Sequence, residues 1–347
     1  MAKFSFLIAQ NGFEDNWSVE PVWYKNTFES LGCKVIPFYI PFYSTHSYNT
    51  YPSATRVLRH RLKSILEENQ IDVAFIIHGG GYWSYEMIGD LRDKGVLTIY
   101  YNPDDPMLFN SVSRFIAPHC DVVLAFPKVV PVYEKELGIK AHPFHYCMDP
   151  AIEFCKNNFS AYYASDVTVA GNIDSNRKRL RGEFLLAIKE AGFCDVAYYG
   201  INRLDEFPEL KPIYRGDLLN NQEHARALRS SKIVFHYAQE LTNEEYVDGL
   251  SDRFQSISGR HFDGAGAGSL VLTNYFVDLE TGFDIGKELV VYYSLQDAID
   301  KIRYYLKHED ERIKIAEAGR KRALKDHIIS IRAKQIFSFL ENVRAWQ

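Results

Sequence analysis

Short apolar runs alternate with amphipathic segments along most of the chain. The apolar runs predict β-strands over 4–9, 35–39, 72–77, 96–100, 122–125, 167–170, 196–199, 233–236, 269–273 and 289–292. The segments between them repeat apolar residues three or four apart, which predicts helices over 21–31, 55–69 and 177–191. Strands that alternate with helices of this length indicate parallel sheets covered on both faces.

The alternation stops over 150–164, a polar stretch without periodicity, and then starts again. We therefore expect an α/β protein with two Rossmann-like, doubly wound domains, 1–155 and 156–327, facing each other across a cleft. The final segment, 328–347, has apolar residues three or four apart along one face. That stripe predicts a last helix that crosses back to pack on the first domain.

Composition narrows the function only slightly. The chain has 347 residues, 46% of them hydrophobic and 24% charged, which is typical of a globular protein. Its net charge of −5 offers no bulk attraction to nucleic acid or acidic lipid. No stretch has the length of a membrane span, and five dispersed cysteines favour a reducing, cytoplasmic location.

The most informative segment is 253–273, RFQSISGRHFDGAGAGSLVLT. A polar loop ending in Ser258 and Gly259 leads into a short helix, and the helix runs into an apolar strand. Backbone N–H groups at a helix N-terminus form an anion site, to which Arg260 in the first turn adds positive charge. Asp263 follows three residues later and could accept hydrogen bonds from ribose hydroxyls. The alternative is a tightly packed helix with a surface salt bridge.

A second loop suited to phosphate follows the first strand of the second domain. Gly171 and Asn172 form a turn, and Arg177 begins a basic helix, so backbone N–H groups and a long cation could hold phosphate oxygens. The alternative is a solvated helix face. We assign the neighbouring basic residues Lys178, Arg179 and Arg181 to that solvated face and only Arg177 to the site.

Two further places belong to the same expected site. Tyr199 and Gly200, together with 214–216, are further candidates, with contacts through backbone amides more than side chains. His236 ends a predicted strand and could point toward the ligand, although a histidine at such a position is more often part of the core.

In the first domain, loops follow strands at 11–15, 78–83 and 102–106. A group-transfer reaction needs either a base near the attacking hydroxyl or a dense electrostatic environment. The groups available are His78, Glu14, Asp15, Asp104 and Asp105. His78 precedes three glycines and is the best placed, while Asp105 is the second choice, with helix capping as its alternative.

A metal site is not expected. The chain has no Asp-x-Asp pair, and His142, His145 and Cys147 have no second ligand cluster at a zinc spacing. We therefore expect neither a metal nor another cofactor, and the oligomeric state is left open.

The segment GRHFDGAGAGSLVLTNYF resembles the donor-site segment of group 1 glycosyltransferases, in particular those related to the spore maturation protein CgeB. The following stretch is similar in its order of loop, strand and helices and in a late His-x4-Arg, His327 and Arg332. LRDKGVLTIYYNPDDPMLF in the first half is also similar. The resemblance implies the GT-B fold and no metal requirement. It also implies a nucleoside-diphosphate sugar as donor, with a UDP-sugar favoured, held mainly by the second domain.

Carried over by position, the resemblance gives roles to single residues. Asp263 matches the ribose-binding carboxylate, which is usually Glu, and Arg260 matches the basic residue on the diphosphate. Retaining relatives have a Glu eight positions before the ribose carboxylate, where this chain has Gln255. The catalytic residues expected are thus His78, Asp105 and Arg260. The family implies that the anomeric configuration is retained, and the departure at Gln255 weakens that expectation.

The function expected is transfer of a sugar from a nucleotide sugar to an acceptor hydroxyl on a glycan, a protein or another surface acceptor, with retention. One alternative is a phage-type transferase that modifies hydroxymethylated DNA bases. The other is a protein of the same fold that binds a nucleotide sugar without turnover, which Gln255 favours.

Overall fold

The computed structural model describes residues 4–13, 16–17, 19–40, 52–77, 83–154, 159–173, 179–200, 204–205, 207–216, 221–237 and 256–344. The described residues fall into two compact units. One is drawn from 1–145 and 329–347, and the other from 146–245 and 255–328. Each unit is built on a parallel sheet covered by helices, which confirms the predicted fold class.

The first unit contains a seven-stranded sheet among its described residues. Its strands are β1 (Ser5–Phe13), β2 (Asn16–Trp17), β3 (Lys34–Ile40), β4 (Val73–Ile77), β5 (Leu97–Tyr101), β6 (Val122–Ala125) and β7 (Ala141–Pro143). The parallel order is β3-β1-β4-β5-β6-β7, and β2 pairs antiparallel with the end of β1. The central strand β4 is buried along its whole length, as its unbroken apolar sequence predicts.

Helices cover this sheet. They are α1 (Val19–Ser30), α2 (Pro52–Glu68), α3 (Tyr85–Asp93), α4 (Asp105–Leu108), α5 (Arg114–Ile116) and α6 (Val130–Val132). Wider π-helical turns, Phe109–Ser113 and Tyr133–Leu137, continue α4 and α6. The serine before α3, Ser84, caps that helix by accepting from the N–H of Met87.

The second unit has a six-stranded sheet among its described residues, and all of its strand pairs are parallel. The strands are β8 (Ser165–Ala170), β9 (Val196–Tyr199), β10 (Tyr214–Gly216), β11 (Ser231–His236), β12 (Leu270–Asn274) and β13 (Val290–Tyr292). Their order is β10-β9-β8-β11-β12-β13. The chain adds β9 and β10 on one side of β8, and then β11, β12 and β13 on its other side. The boundary between β8 and β11 is therefore the topological switch point of the sheet, and ligands of such sheets bind beside it.

The helices of the second unit complete it. They are α7 (Pro150–Phe154), α8 (Arg179–Glu190), α9 (Asn221–Arg229), α10 (Gly259–Ala267), α11 (Leu279–Gly282), α12 (Leu295–Lys307) and α13 (Glu309–Asp326). The unit starts at Tyr146, upstream of the predicted boundary at 155. The reason is local packing, because the N–H of Asp149 donates to the carboxylate of Asp263 and α7 packs on α10.

The last helix, α14 (Ile329–Arg344), belongs to the first unit. Its Phe337 ring lies 5.9 Å from that of Phe4, 6.0 Å from that of Phe6 and 5.6 Å from that of Phe28. The predicted packing of the C-terminal helix on the first domain is therefore confirmed.

Candidate functional site

Two glycines bring the ends of β8 and β9 together in the second unit. The N–H of Gly171 donates to the carbonyl of Tyr199 over 2.8 Å, and the N–H of Gly200 donates to the carbonyl of Gly216 over 3.1 Å. A Cβ on Gly200 would overlap the carbonyl of Gly171, so this backbone contact requires glycine. Gly171 itself has a φ of 153°, a value that favours glycine.

These contacts change the role expected of the loop. We expected backbone N–H groups at Gly171 to hold phosphate, but the N–H of Gly171 is occupied by Tyr199. The side chain of Tyr199 is also buried, packed among Tyr163, Ala197 and Ala227. The loop therefore allows the backbone at Gly171 to lie close to the backbone at Gly200. The positive charge beside it comes from side chains.

One such side chain, Arg181 of α8, was expected on a solvated helix face, and that expectation is wrong. Arg181 is only 3% exposed. Its Nη1 donates to the carbonyl of Asn172 over 2.6 Å and its Nη2 to the carbonyl of Tyr237 over 3.3 Å. The guanidinium fills the space beside Gly171, where an added Cβ would lie 2.9 Å from Nη1.

Arg260 reaches the same place from the first turn of α10. Its Cζ and Nε atoms lie 3.5 Å from the position that a Cβ on Gly171 would take. Both guanidinium charges also act on His236 at the end of β11, where they add to burial in lowering its pKa well below the ordinary value. Two arginines therefore converge at the N-terminus of α10, beside the switch point of the sheet.

His236 is held next to this pair of cations. The side chain is buried, and Nε2 lies 3.5 Å from the hydroxyl of Ser258. Its ring stands at 88° to that of His261, with 4.3 Å between the centroids. Since its pKa is lowered, His236 is neutral at pH 7 and adds no charge to the site.

His261 organises the start of α10. The N–H of Ser258 donates to Nδ1 of His261 over 3.1 Å, so the ring proton is on Nε2, which donates to the hydroxyl of Thr273 over 3.2 Å. Burial lowers the pKa of His261 to about 3. The ring occupies the position where Glu or Gln usually closes a capping box. Its spacing from Ser258 is visible in the sequence.

Gly259 and Asp263 are both fixed by residues that begin the second unit. A Cβ on Gly259 would lie 2.6 Å from the ring of Tyr146, so this glycine allows the ring to cover the helix start. Oδ1 of Asp263 accepts from the N–H of Asp149 over 2.8 Å, and Oδ2 lies 3.7 Å from Nε2 of His224. The Asp263 side chain is 11% exposed, and its role toward a ribose stays a prediction.

In the first unit, Asp105 belongs to a buried network. It is 0% exposed, and one carboxylate oxygen accepts from the hydroxyl of Tyr133. Nearby, the hydroxyl of Ser113 bonds to the hydroxyl of Tyr100 over 2.8 Å and accepts from Asn102 over 2.9 Å. The placement gives Asp105 a structural role in holding the chain after β5, in place of the catalytic contact with substrate that we expected.

Glu20 of α1 is a carboxyl group that we did not single out. It is 6% exposed, and burial together with the charge of Asp104 raises its pKa to about 8. The other candidates that we named, Glu14, Asp15, His78, Arg177 and Gln255, lie outside the described residues.

No group of three or more His, Cys, Asp or Glu side chains within the described ranges is placed to hold a metal ion. Among the helices of the described ranges, none combines the length and apolar character that crossing a membrane requires.

Part of the chain is similar in sequence to a known protein family. Residues 177–338 match the family model described as glycosyl transferase-like. No curated protein matches the chain. The matched segment includes Arg181, Arg260 and Asp263.

Solved structures share the fold at low sequence identity. A glycosyltransferase from Rickettsia africae is 12% identical, with 99% of each chain covered and a TM-score of 0.68. Sucrose-phosphate synthase from Thermosynechococcus elongatus is 9% identical, with 99% of this chain and 100% of that chain covered and a TM-score of 0.68. Anabaena HepE, solved in complex with UDP-glucose, is 10% identical, with 98% and 100% covered and a TM-score of 0.64.

The fold is thus that of the GT-B glycosyltransferases. With the match over 177–338, it supports an enzyme of the glycosyltransferase class.

Proposed function

We propose that the protein transfers a sugar from a nucleoside-diphosphate sugar to an acceptor hydroxyl, without a metal. The observation that carries the proposal is the convergence of Arg181 and Arg260 beside Gly171, at the N-terminus of α10. A diphosphate gains negative charge when the bond to the sugar breaks. Arginine side chains fixed in a buried site stabilise that charge, which is the work a metal does in other transferases.

The remaining groups of the site receive roles that fit this donor. The N-terminus of α10 is proposed to add the positive end of the helix dipole to the anion site. Neutral His236 and Ser258 offer hydrogen bonds near the diphosphate, and Arg177 is a further proposed phosphate contact. Asp263 is proposed to bind the ribose, and the backbone near Gly200 to bind the base.

A UDP-sugar is the donor we favour, because Anabaena HepE with this fold was solved with UDP-glucose. Titration calorimetry with UDP, GDP, TDP and ADP tests the proposal. We expect at least one to bind with a dissociation constant below about 1 mM, and Asp263→Ala to weaken it by about 1–3 kcal/mol. Failure of all four to bind would remove the basis of the proposal.

The stereochemical outcome depends on where the acceptor's proton goes. Inversion needs a protein base, whereas retention does not. The resemblance to group 1 enzymes related to CgeB implies retention, and Gln255 in place of Glu weakens that implication. The anomeric configuration of the sugar first released from the donor, compared with that of the donor itself, distinguishes inversion from retention.

A second candidate is a nucleotide-sugar-binding protein without turnover, and Gln255 is the observation that favours it. Slow hydrolysis of the donor in the absence of acceptor separates an enzyme from this candidate. Transfer to a hydroxymethylated DNA base is a further acceptor hypothesis, which the net charge of −5 disfavours. Salt-sensitive retention on duplex DNA would support it.

A further inference from the structure

Two exposed tyrosine rings stand side by side at the carboxyl edge of the second unit's sheet. Tyr275 directly follows β12, and Tyr293 directly follows β13. Their ring centroids are 5.8 Å apart, and the side chains are 38% and 74% exposed. Apolar surface shared by neighbouring exposed side chains marks ligand-binding sites, whereas apolar side chains exposed singly are ordinary. We call Tyr275 and Tyr293 the tyrosine pair.

The backbone holds both members of the tyrosine pair in place. The N–H of Tyr275 donates to the carbonyl of Tyr292 over 3.1 Å. The N–H of Tyr293 donates to the carboxylate of Asp297 over 3.0 Å, and Nζ of Lys301 lies 5.5 Å from the centroid of the Tyr293 ring. A tyrosine has few rotatable bonds, so a ring held in this way loses little conformational entropy when a ligand covers it.

A cavity of about 540 Å³ opens next to the tyrosine pair. Its lining includes the charged side chains of Glu280, Asp284 and Arg322. Glu280 joins the cavity to the pair, because its Oε1 accepts from the hydroxyl of Tyr275 over 2.8 Å. The volume is in the range of small-molecule sites, and the charged lining suits a ligand with many hydrogen-bonding groups.

The cations of this cavity are already paired with carboxylates. Nε of Arg322 donates to both carboxylate oxygens of Glu288, over 3.1 and 3.0 Å, and Nη1 donates to Asp326 over 2.9 Å. Nζ of Lys287 donates to Asp284 over 2.9 Å. Among the described residues, a diphosphate therefore finds no unbalanced positive charge here. Hydroxyl groups can still donate to the carboxylates and accept from the remaining N–H groups of Arg322.

A carbohydrate chain has both of the properties that the tyrosine pair and the cavity require. C–H groups form one face of a sugar ring and pack on an aromatic ring, while the hydroxyls at the edge of the sugar meet carboxylate and guanidinium groups. The distance between the two tyrosine rings is comparable with the length of one sugar residue, so neighbouring sugars of one chain can lie on the pair.

The tyrosine pair lies on a definite side of the proposed diphosphate site. The loop between β12 and α11 packs on the start of α10, because the N–H of Ile257 donates to the carboxylate of Asp278 over 3.0 Å. In the order of the sheet, β12 and β13 are on the opposite side of the switch point from β9, beside which the base is proposed to bind. Base, diphosphate and tyrosine pair thus follow one another along one edge, and the transferred sugar points toward the pair.

We propose that the tyrosine pair and the cavity beside it bind a neutral oligosaccharide, and that this chain is the acceptor of the transferred sugar. The inference rests on the proposed function for the acceptor role, and it selects a glycan among the acceptors left open there. In the transfer, a hydroxyl oxygen of the chain forms a bond to the anomeric carbon. The bond from that carbon to the diphosphate breaks, and the hydroxyl proton leaves to the diphosphate or to solvent.

Ligand-observed NMR and titration calorimetry on the full chain test binding without a donor. The probes are the neutral trisaccharides maltotriose, cellotriose, mannotriose and triacetylchitotriose, with trigalacturonate as the charged comparison. We expect at least one neutral trisaccharide to bind, and to bind more tightly than its monosaccharide, because the pair holds neighbouring sugars. Trigalacturonate should bind more weakly, because its carboxylates meet those of Glu280 and Asp284.

Tyr293→Ala should weaken trisaccharide binding about 2- to 10-fold, and Tyr293→Phe should preserve it, because the ring face remains. Tyr162→Ala is the matched control. Tyr162 is 78% exposed in the same unit and also stands beside another tyrosine, Tyr163, with 4.9 Å between the centroids. The control should leave trisaccharide binding unchanged, and none of these variants should alter the affinity for UDP.

The acceptor role is tested with the donor that calorimetry identifies. Tyr293→Ala should raise the KM for the trisaccharide and leave hydrolysis of the donor without acceptor unchanged. A merely structural effect of the substitution would change both.

The outcomes separate this inference from the proposed function. Nucleotide binding without binding of any neutral trisaccharide overturns the inference and leaves the proposed function standing. Trisaccharide binding that Tyr293→Ala does not weaken, or that Tyr162→Ala weakens equally, also overturns it. Donor hydrolysis without transfer to a bound trisaccharide overturns the acceptor role. Failure of every nucleotide to bind overturns the proposed function itself.

Discussion

The backbone N–H of Ser258 donates to Nδ1 of His261 over 3.1 Å, so a buried histidine closes the first turn of α10. That turn carries Arg260 toward Gly171. The geometry of the proposed diphosphate site therefore depends on the protonation state of a group that does not itself meet the ligand.

Stability should fall in mild acid because of this histidine. His261 has its pKa lowered from 6.5 to about 3 in the folded protein, and His236 is shifted in the same direction. Below about pH 6.5 the unfolded chain takes up protons at these histidines that the folded protein does not, so their contribution to the free energy of unfolding drops as pH falls and is level above that pH. Glu20, whose pKa is raised to about 8, contributes a slope of the opposite sign between about pH 4.5 and pH 8, so the effect of the histidines is read from the difference between wild type and variant. Each such group contributes up to about 1.4 kcal/mol per pH unit. Urea unfolding between about pH 7 and pH 5 measures the slope.

His261→Gln should reduce that slope, because Gln keeps an acceptor for Ser258 but does not titrate. His308→Gln, at an exposed histidine in the same unit, is the control and should leave the slope unchanged. An equal slope in His261→Gln and the wild type would show that His261 is not the titrating group.

Arg181 should matter for folding as well as for binding. Arg181→Ala leaves the carbonyls of Asn172 and Tyr237 without their donor and should cost about 1–3 kcal/mol of unfolding free energy, with weaker UDP binding. Arg303→Ala, at a partly exposed arginine on α12, should alter neither quantity appreciably. Unchanged stability in Arg181→Ala would contradict the buried position assigned to this guanidinium.

The backbone contact between Gly171 and Gly200 should not tolerate a methyl group. Gly200→Ala places a Cβ against the carbonyl of Gly171, and we expect a loss of about 1–3 kcal/mol in thermal or urea unfolding. Gly89→Ala is the matched control, because no atom lies within 4 Å of its added Cβ in the middle of α3. It should gain about 0.5–1 kcal/mol. Equal effects of the two substitutions would rule out the close contact.

The C-terminal helix should stabilise the first unit through Phe337. Phe337→Ala removes a ring that is 6% exposed and touches three other phenylalanines, which should cost about 3–5 kcal/mol. Ile313→Ala, at a residue 42% exposed, should cost far less. A small effect at Phe337 would mean that α14 contributes little to the core of the first unit.

The fold could be predicted from the sequence because buried parallel strands consist of continuous apolar residues. The run 122–125 coincides with β6 and the run 196–199 with β9. The short edge strands β7 and β10 were missed, since three residues at a sheet edge leave too short a pattern.

The site was predicted only in part. Arg260 and Gly171, which we expected in one site, lie close to each other, because each follows a strand at the same edge of the sheet. Their role in binding a ligand stays a prediction. Arg181 was assigned to a solvated helix face. Its partners are the backbone carbonyls of Asn172 and Tyr237, and such contacts do not change the spacing of apolar residues from which the buried face of a helix is predicted. Glu20 was missed for a related reason, since its perturbation comes from burial and from Asp104 after another strand.

The central claim is that Arg260 and Arg181 hold the diphosphate of a nucleotide, and paired titrations of UDP and uridine test it most directly. Arg260→Ala should weaken UDP binding by about 10- to 100-fold, the value of a charge-assisted hydrogen bond, and leave uridine binding unchanged. Arg303→Ala should change neither. Equal losses for UDP and uridine, or no loss for UDP, would contradict the account.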